Sequence, residues 1–177
     1  MNAIRLLTAQ HRAIESLFEE VANETRRAVR ARAASRLTEE LIAHMAAEEA
    51  LFYPAVRPVL GAGQRAADRD RAPDKHFMLR AQLRRVLETG IHTPAFTPRF
   101  EALRTIFAHH VDAEENGVFP DVDAALAASQ LEQLGHAIEG SRPRVWIVTT
   151  EANASMVAMH AAREGAHGVR LPSLTEN

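Results

Sequence analysis

Apolar residues return at alternating spacings of three and four in four stretches of the chain: Ile4, Leu7, Ile14, Phe18 and Val21; Leu37, Leu41, Leu51 and Ala55; Leu79, Leu83 and Val86; Phe100, Leu103 and Phe107. That period is one face of a helix. It predicts helices over about 3–29, 36–60, 73–89 and 98–118. Ser35 and Thr97 are the candidate N-caps of the second and fourth. Pro73 opens the third and Gly90 stops it, and Pro98 takes the first position of the fourth. "GAGQRAADRDRA" reads as a polar, Gly-rich loop. Pro54 and Pro120 mark a kink or a stop, and a shorter helix is expected at about 122–139. The expected fold is all-α, an up-down-up-down antiparallel four-helix bundle over residues 1–140, followed by a C-terminal extension, 141–177. Within that extension "RPRVWIVTT" is β-like and "EANASMVAMHAARE" suits a short amphipathic helix. Packing on the bundle and a subunit contact, as in a homodimer, are both open for it.

Polar residues interrupt every stripe. His11 lies on the first, His44 and Glu48 on the second, His76 on the third, His110 and Glu114 on the fourth. Residues at i and i+4 differ by ~40° around a helix and ~6 Å along it, so each His-Glu pair points one way. The frame is repeated: "HMAAEEALFYP" from His44 and the same spacing of His, Glu-Glu and Pro from His110 in "HHVDAEENGVFP". A buried carboxylate without a partner costs several kcal/mol. No lysine or arginine shares these stripes, so a cation from outside the sequence is the simplest compensation. Position 93, midway between His76 and His110, falls inside the loop "GIHTPAFTP", as two antiparallel neighbours at one level require. The midpoint of His11 and His44, near 27–28, falls before the turn expected there.

Four imidazoles and two carboxylates exceed a tetrahedral zinc site. They suit two ions of iron, manganese or zinc, bridged by the glutamates. The Glu-x-x-His pair of ferritin-like bundles is absent, because Leu41 and Phe107 stand where the glutamates would be. No His-Glu-x-x-His occurs, which sets aside a zinc peptidase. His109 lies off the stripe as a flanking residue, and His92, His136, His160 and His167 are read as surface residues. Glu49 and Glu115 point away, toward solvent or toward a contact on a neighbouring helix. Glu15 could swing toward the site. Tyr53 belongs at the rim of the core or near the lower part of the site.

Composition narrows the rest. The 177 residues carry a formal net charge of -2 and no cysteine. Disulfides, thiolate sites and cysteine nucleophiles are excluded, and charge makes no case for nucleic acid or an anionic membrane. No stretch approaches the ~20 apolar residues of a membrane span, and the N-terminus lacks a signal-peptide core. The expectation is a cytoplasmic protein.

"QHRAIESLF", "HMAAEEALFYP", "DKHFMLR" and "HHVDAEENGVFP" together resemble hemerythrin-like domains, also called HHE cation-binding domains, over residues 4–120. The resemblance implies a hemerythrin-like bundle with a non-haem di-iron site carrying an oxo or hydroxo bridge. It implies that His11 and His44 bind one iron, His76 and His110 the other, and that Glu48 and Glu114 bridge them. It also implies a small ligand: oxygen, nitric oxide or peroxide. Oxygen-carrying members have a further histidine four residues after the third-helix histidine. Here that position is Arg80, so one iron is left open, or takes water, Glu15 or another ligand. Reversible oxygen storage is then in question. A peroxidase or catalase-like enzyme and an iron- or oxygen-responsive regulatory module stand as alternatives.

Overall fold

A computed structural model describes residues 1–60 and 72–141. The linker up to Arg71 and the extension from Arg142, with the β-like and amphipathic segments expected there and with His160 and His167, lie outside the described residues. The described chain is helical and contains no strand. α1 spans Ala3–Asn23 and α2 Arg27–Ala47. A π-helical turn, Glu48–Phe52, leads into the short α3, Tyr53–Val56. α4 spans Ala72–Thr89 and α5 Phe96–Ala113. A second π turn, Glu114–Val118, leads into α6, Phe119–Ala125, and α7 spans Ala128–Gly140. α1 pairs with α2 and α4 with α5, giving the expected four-helix bundle, while α7 lies against α1. No helix among the described residues is long and apolar enough to cross a membrane.

Several helix ends differ from the sequence reading. α1 stops at Asn23, six residues early, because Glu24 turns back on the next residues. Its carboxylate accepts from the Arg26 amide at 2.8 Å and from the Arg26 guanidinium at 2.7 Å. Arg30 then donates to the Val21 carbonyl at 2.9 Å and holds the turn closed. α2 therefore starts at Arg27, and Ser35 is interior to it rather than its N-cap. The turn at 24–26 now lies close to the His11–His44 midpoint. α5 starts at Phe96, so Thr97 is not its N-cap either. Pro98 sits in the first turn, where its missing N–H is not needed. Gly90 adopts φ +76°, a left-handed stop that only glycine takes without cost. The helix expected at 122–139 is instead two, broken where Leu126 becomes extended.

The π turns follow from the prolines. In an α-helix the ring of Pro54 would strike the Ala50 carbonyl, and that of Pro120 the Asn116 carbonyl. Each chain segment instead takes in one extra residue per turn. The Tyr53 amide bonds back to the Glu48 carbonyl and the Phe119 amide to the Glu114 carbonyl. Such turns concentrate at functional sites. They also shift the buried stripe by one. Phe52 rather than Leu51 is fully buried, and Val118, Phe119 and Val122 face inward while Asp121 does not.

Two apolar clusters result. One, around Ile14, Leu37, Leu83, Phe100 and Leu103, fills the end near the two hairpin turns. The other, around Leu7, Phe52, Val56, Val122 and Ile138, fills the end closed by α7. A layer of polar side chains separates them.

Candidate metal centre

His11, His44, Glu48, His76, His110 and Glu114 are all buried, at 3 % exposure or less. Ligand atoms of His11, His44, Glu48, His110 and Glu114 lie within 4.8 Å of one another. His76 stands on the far side of Glu48. The two oxygens of Glu48 face different histidines: Oε1 is 3.2 Å from His44 Nε2, and Oε2 is 3.1 Å from His76 Nε2. Glu114 Oε2 is 3.2 Å from His11 Nε2 and 3.5 Å from His110 Nε2. The other oxygen of Glu114 accepts from the Tyr53 hydroxyl. The Nε2 atoms of His44 and His110 face each other at 3.2 Å.

Three of the imidazoles are held from behind. Nδ1 of His11 meets Glu115 at 2.8 Å, that of His76 meets Glu49 at 2.8 Å, and that of His44 meets the Gln10 side-chain oxygen at 3.0 Å. An acceptor behind each ring fixes the proton on Nδ1 and turns a bare Nε2 inward. The two outer glutamates are themselves gripped. Arg80 binds Glu49 with both terminal nitrogens, at 2.7 and 2.8 Å, and Arg12 binds Glu115. The doubled frame thus has two jobs. The first glutamate of each pair enters the layer, and the second crosses to the neighbouring hairpin to hold its histidine.

Charge follows geometry. Burial, reinforced by Glu114, pushes the Glu48 carboxyl well above the usual carboxylate range. Burial also pushes Glu114 upward, but His110 and His11 outweigh it and hold that carboxyl low. Burial takes His110 down to about 4, and burial with His11 and His110 nearby takes His44 well below its ordinary value. Glu49 is pushed up by burial and pulled further down by His76 and Arg80, to about 2.

What faces the layer is therefore almost wholly acceptor: bare imidazole nitrogens and carboxylate oxygens. His11 Nε2, His76 Nε2, both oxygens of Glu48 and Glu114 Oε2 have no hydrogen-bond partner there; His110 Nδ1, on the side of its ring away from His44 and Glu114, has none either. Unpaired buried acceptors are costly. A divalent cation is the group this donor set fits.

The description "Hemerythrin HHE cation binding domain" matches residues 2–122. The chain belongs to the hemerythrin HHE cation-binding family. Membership implies a metal site with His and Glu ligands, and the buried His/Glu cluster agrees with it. The fold of this HHE domain is similar to a crystal structure titled as a hemerythrin HHE cation binding domain-containing protein of Mycobacterium kansasii. That likeness has a TM-score of 0.68 at 23% identity and covers 79% of this chain and 84% of that one. Among curated proteins it is similar to a "DNA nickase" of Nostoc sp. (strain PCC 7120 / SAG 25.82 / UTEX 2576), 24% identical over 145 residues. The match takes in 82% of this HHE domain's chain but only 40% of that protein.

The residues set aside in the sequence reading fall as follows. Glu49 and Glu115 make the neighbouring-helix contact and stay partly open to water. Tyr53 is buried and reaches Glu114. Glu15 pairs with Arg12 at the surface, at 2.9 Å, and does not turn to the layer. His92, His109 and His136 are exposed. Gln10, one position before His11 and absent from the stripe pattern, also belongs to the site through His44. Its signal was a polar residue beside the first stripe, which is weak because α1 buries a wider face than one stripe.

Proposed function

We propose that this HHE domain holds two iron ions between His11, His44, Glu48, His76, His110 and Glu114 and binds oxygen or a related small ligand, nitric oxide or peroxide. The observation that carries this is the buried layer made almost wholly of acceptors, most of them without a donor. Glu48 would serve both ions, since its two oxygens already face different histidines. Glu49, Glu115 and Gln10 orient imidazoles. Tyr53 places a proton beside Glu114, within the layer. Iron bound here would supply one- and two-electron redox chemistry toward a small oxidant. Arg80, standing where oxygen carriers have a histidine, is engaged with Glu49 and leaves one ligand fewer on the His76 side. That favours a site open to turnover, and a peroxide-consuming enzyme is the nearest alternative.

A second reading comes from the nickase relative: a metal-dependent attack on DNA. The net charge of -2 and the carboxylates engaging Arg12, Arg26, Arg80 and Arg104 weigh against a phosphate-binding face. Relaxation of supercoiled plasmid by metal-loaded protein, lost in His44→Ala, would favour it.

The deciding experiment is metal content and visible absorption of protein made in iron-rich medium, before and after reduction and return to air. The expected result is about two irons per chain, as the six-ligand set suggests, with visible bands that bleach on reduction and recover in air. His44→Ala and Glu114→Ala are each expected to lower iron content. Unchanged metal content in both, or zinc alone, would refute the reading.

A further inference from the structure

A pocket of about 160 Å³ opens between α2, α4 and α5 at the hairpin-turn end of the bundle. Its floor includes Leu37, Leu83, Val86, Phe100 and Leu103, all buried; Ala31 and Gly90 at its mouth are exposed. The hydroxyls on its wall are engaged within their own helix. Thr38 donates to the Ala34 carbonyl at 2.8 Å, and Ser35 reaches Glu39 at 3.5 Å. Water needs two to four polar partners to stay in a cavity; an aliphatic cavity of about 150 Å³ stays dry and admits benzene or xenon. This pocket matches that size and apolar lining, with a mouth open to solvent at Ala31 and Gly90.

Its position gives it meaning. Leu37 precedes His44 by seven residues, His76 precedes Leu83 by seven, and Leu103 precedes His110 by seven. At ~1.5 Å per residue, the three helices agree that the floor lies roughly 10 Å from the imidazole layer. One layer intervenes: Leu41, Leu79 and Phe107, each at 1 % exposure or less. The Phe107 ring lies 6.0 Å from His11 and 5.9 Å from His110. The hollow on the other side of the site, beside Arg5, Thr8, Glu115 and Asp123, is about 500 Å³, open, and lined half by polar and charged groups. It suits water and charged solutes.

We propose that the apolar pocket takes up a small uncharged gas, such as dioxygen or nitric oxide, and delivers it to the histidine layer past Leu41, Leu79 and Phe107. The delivery half rests on the function proposed above; the binding half does not. Side-chain motion of Phe107 or its two leucine neighbours opens the last step.

The test uses the full chain. Xenon is titrated while the methyl resonances of Leu37, Leu83 and Leu103 are followed, in wild type and in Ala34→Phe, which fills the pocket from a half-buried wall position. Leu87→Trp fills it from the other wall and serves if Ala34→Phe does not fold. Saturable shifts at those methyls, abolished by filling, are expected. No shift, or shifts unchanged by filling, overturns the pocket. In reduced, iron-loaded protein, nitric oxide association is then followed by stopped flow. A filled pocket should slow association and dissociation alike by about tenfold, a barrier higher by about 1.4 kcal/mol, with Kd unchanged. Unchanged rates, with arrival through the polar hollow, overturn delivery. If iron-loaded protein binds no gas at all, the proposed function fails, while the xenon result still decides the pocket.

Discussion

Glu48→Met asks whether the buried layer serves stability or metal. Glu48 is fully buried, and neither of its oxygens has a hydrogen-bond donor. Each unsatisfied buried acceptor costs about 1–3 kcal/mol. Its raised pKa lets the carboxyl take a proton and recover part of that cost by donating to His44 or His76. Methionine has similar length, carries no charge and would join Leu41 and Phe52 on the same helical face. Replacing a buried ionic group by an apolar residue of similar volume is neutral or stabilising by about 1–4 kcal/mol. In chelator, Glu48→Met is therefore expected to be about 2 kcal/mol more stable than wild type, which raises Tm by roughly 4–8 °C in a chain of this size. Iron should invert the order. Wild type gains about 2.7 kcal/mol at a hundred times Kd, and the variant gains little. Urea denaturation with and without metal measures both. A variant less stable than wild type by more than about 1 kcal/mol in chelator, or one stabilised equally by iron, would refute the reasoning.

Glu49→Gln and Glu115→Gln keep the hydrogen-bond reach but lose the charge behind His76 and His11; each should weaken metal affinity by about 10–100-fold in a chelator competition, with the bundle intact. Gly135→Ala places a methyl 2.1 Å from the Met1 carbonyl oxygen and 2.9 Å from the Ala3 amide. The N-terminus must shift, and a loss of about 1–3 kcal/mol is expected in urea. The Arg26 side chain and amide hold Glu24 down to about 2, below its ordinary 4.5. A depressed carboxylate stabilises above its ordinary value and loses that contribution as pH falls through the folded one. In chelator, the Tm gap between wild type and Glu24→Gln should be full near pH 6 and close between 4.5 and about 2.

The four stripes and their histidines could be read from the chain because helical period and burial are local and repetitive. His76, placed on its stripe by Leu79, Leu83 and Val86, is as buried as His11. The helix ends were less legible. Ser35 and Thr97 carry the right side chains for caps, but capping is a weak preference. The Glu24–Arg26 clamp and the Gly90 turn decided where the chain reverses. The π turns left a trace that strict α periodicity hides. After Glu114 the apolar residues fall at +4, +5 and +8, as Val118, Phe119 and Val122; +4 and +8 suit an α-helix as well, and only Phe119 at +5 falls off its face. Glu49 and Glu115 depend on which helix lies alongside, and no single-helix pattern contains that.

The polar layer has a further consequence for how the molecule comes apart. A bundle with one continuous core opens as one unit, but here each end has its own apolar cluster and the histidines lie between. Without a cation the layer offers mainly repulsion between acceptors, and the ends are joined through it chiefly by ring packing such as that of His11 between Phe107 and Phe119. Amide exchange should then show two blocks of protection in chelator, with Leu7, Phe52 and Ile138 opening at lower free energy than Leu37, Leu83 and Leu103. With metal the two blocks should merge into one. An ion at this position acts as a rivet, and what it changes is the cooperativity of the whole bundle.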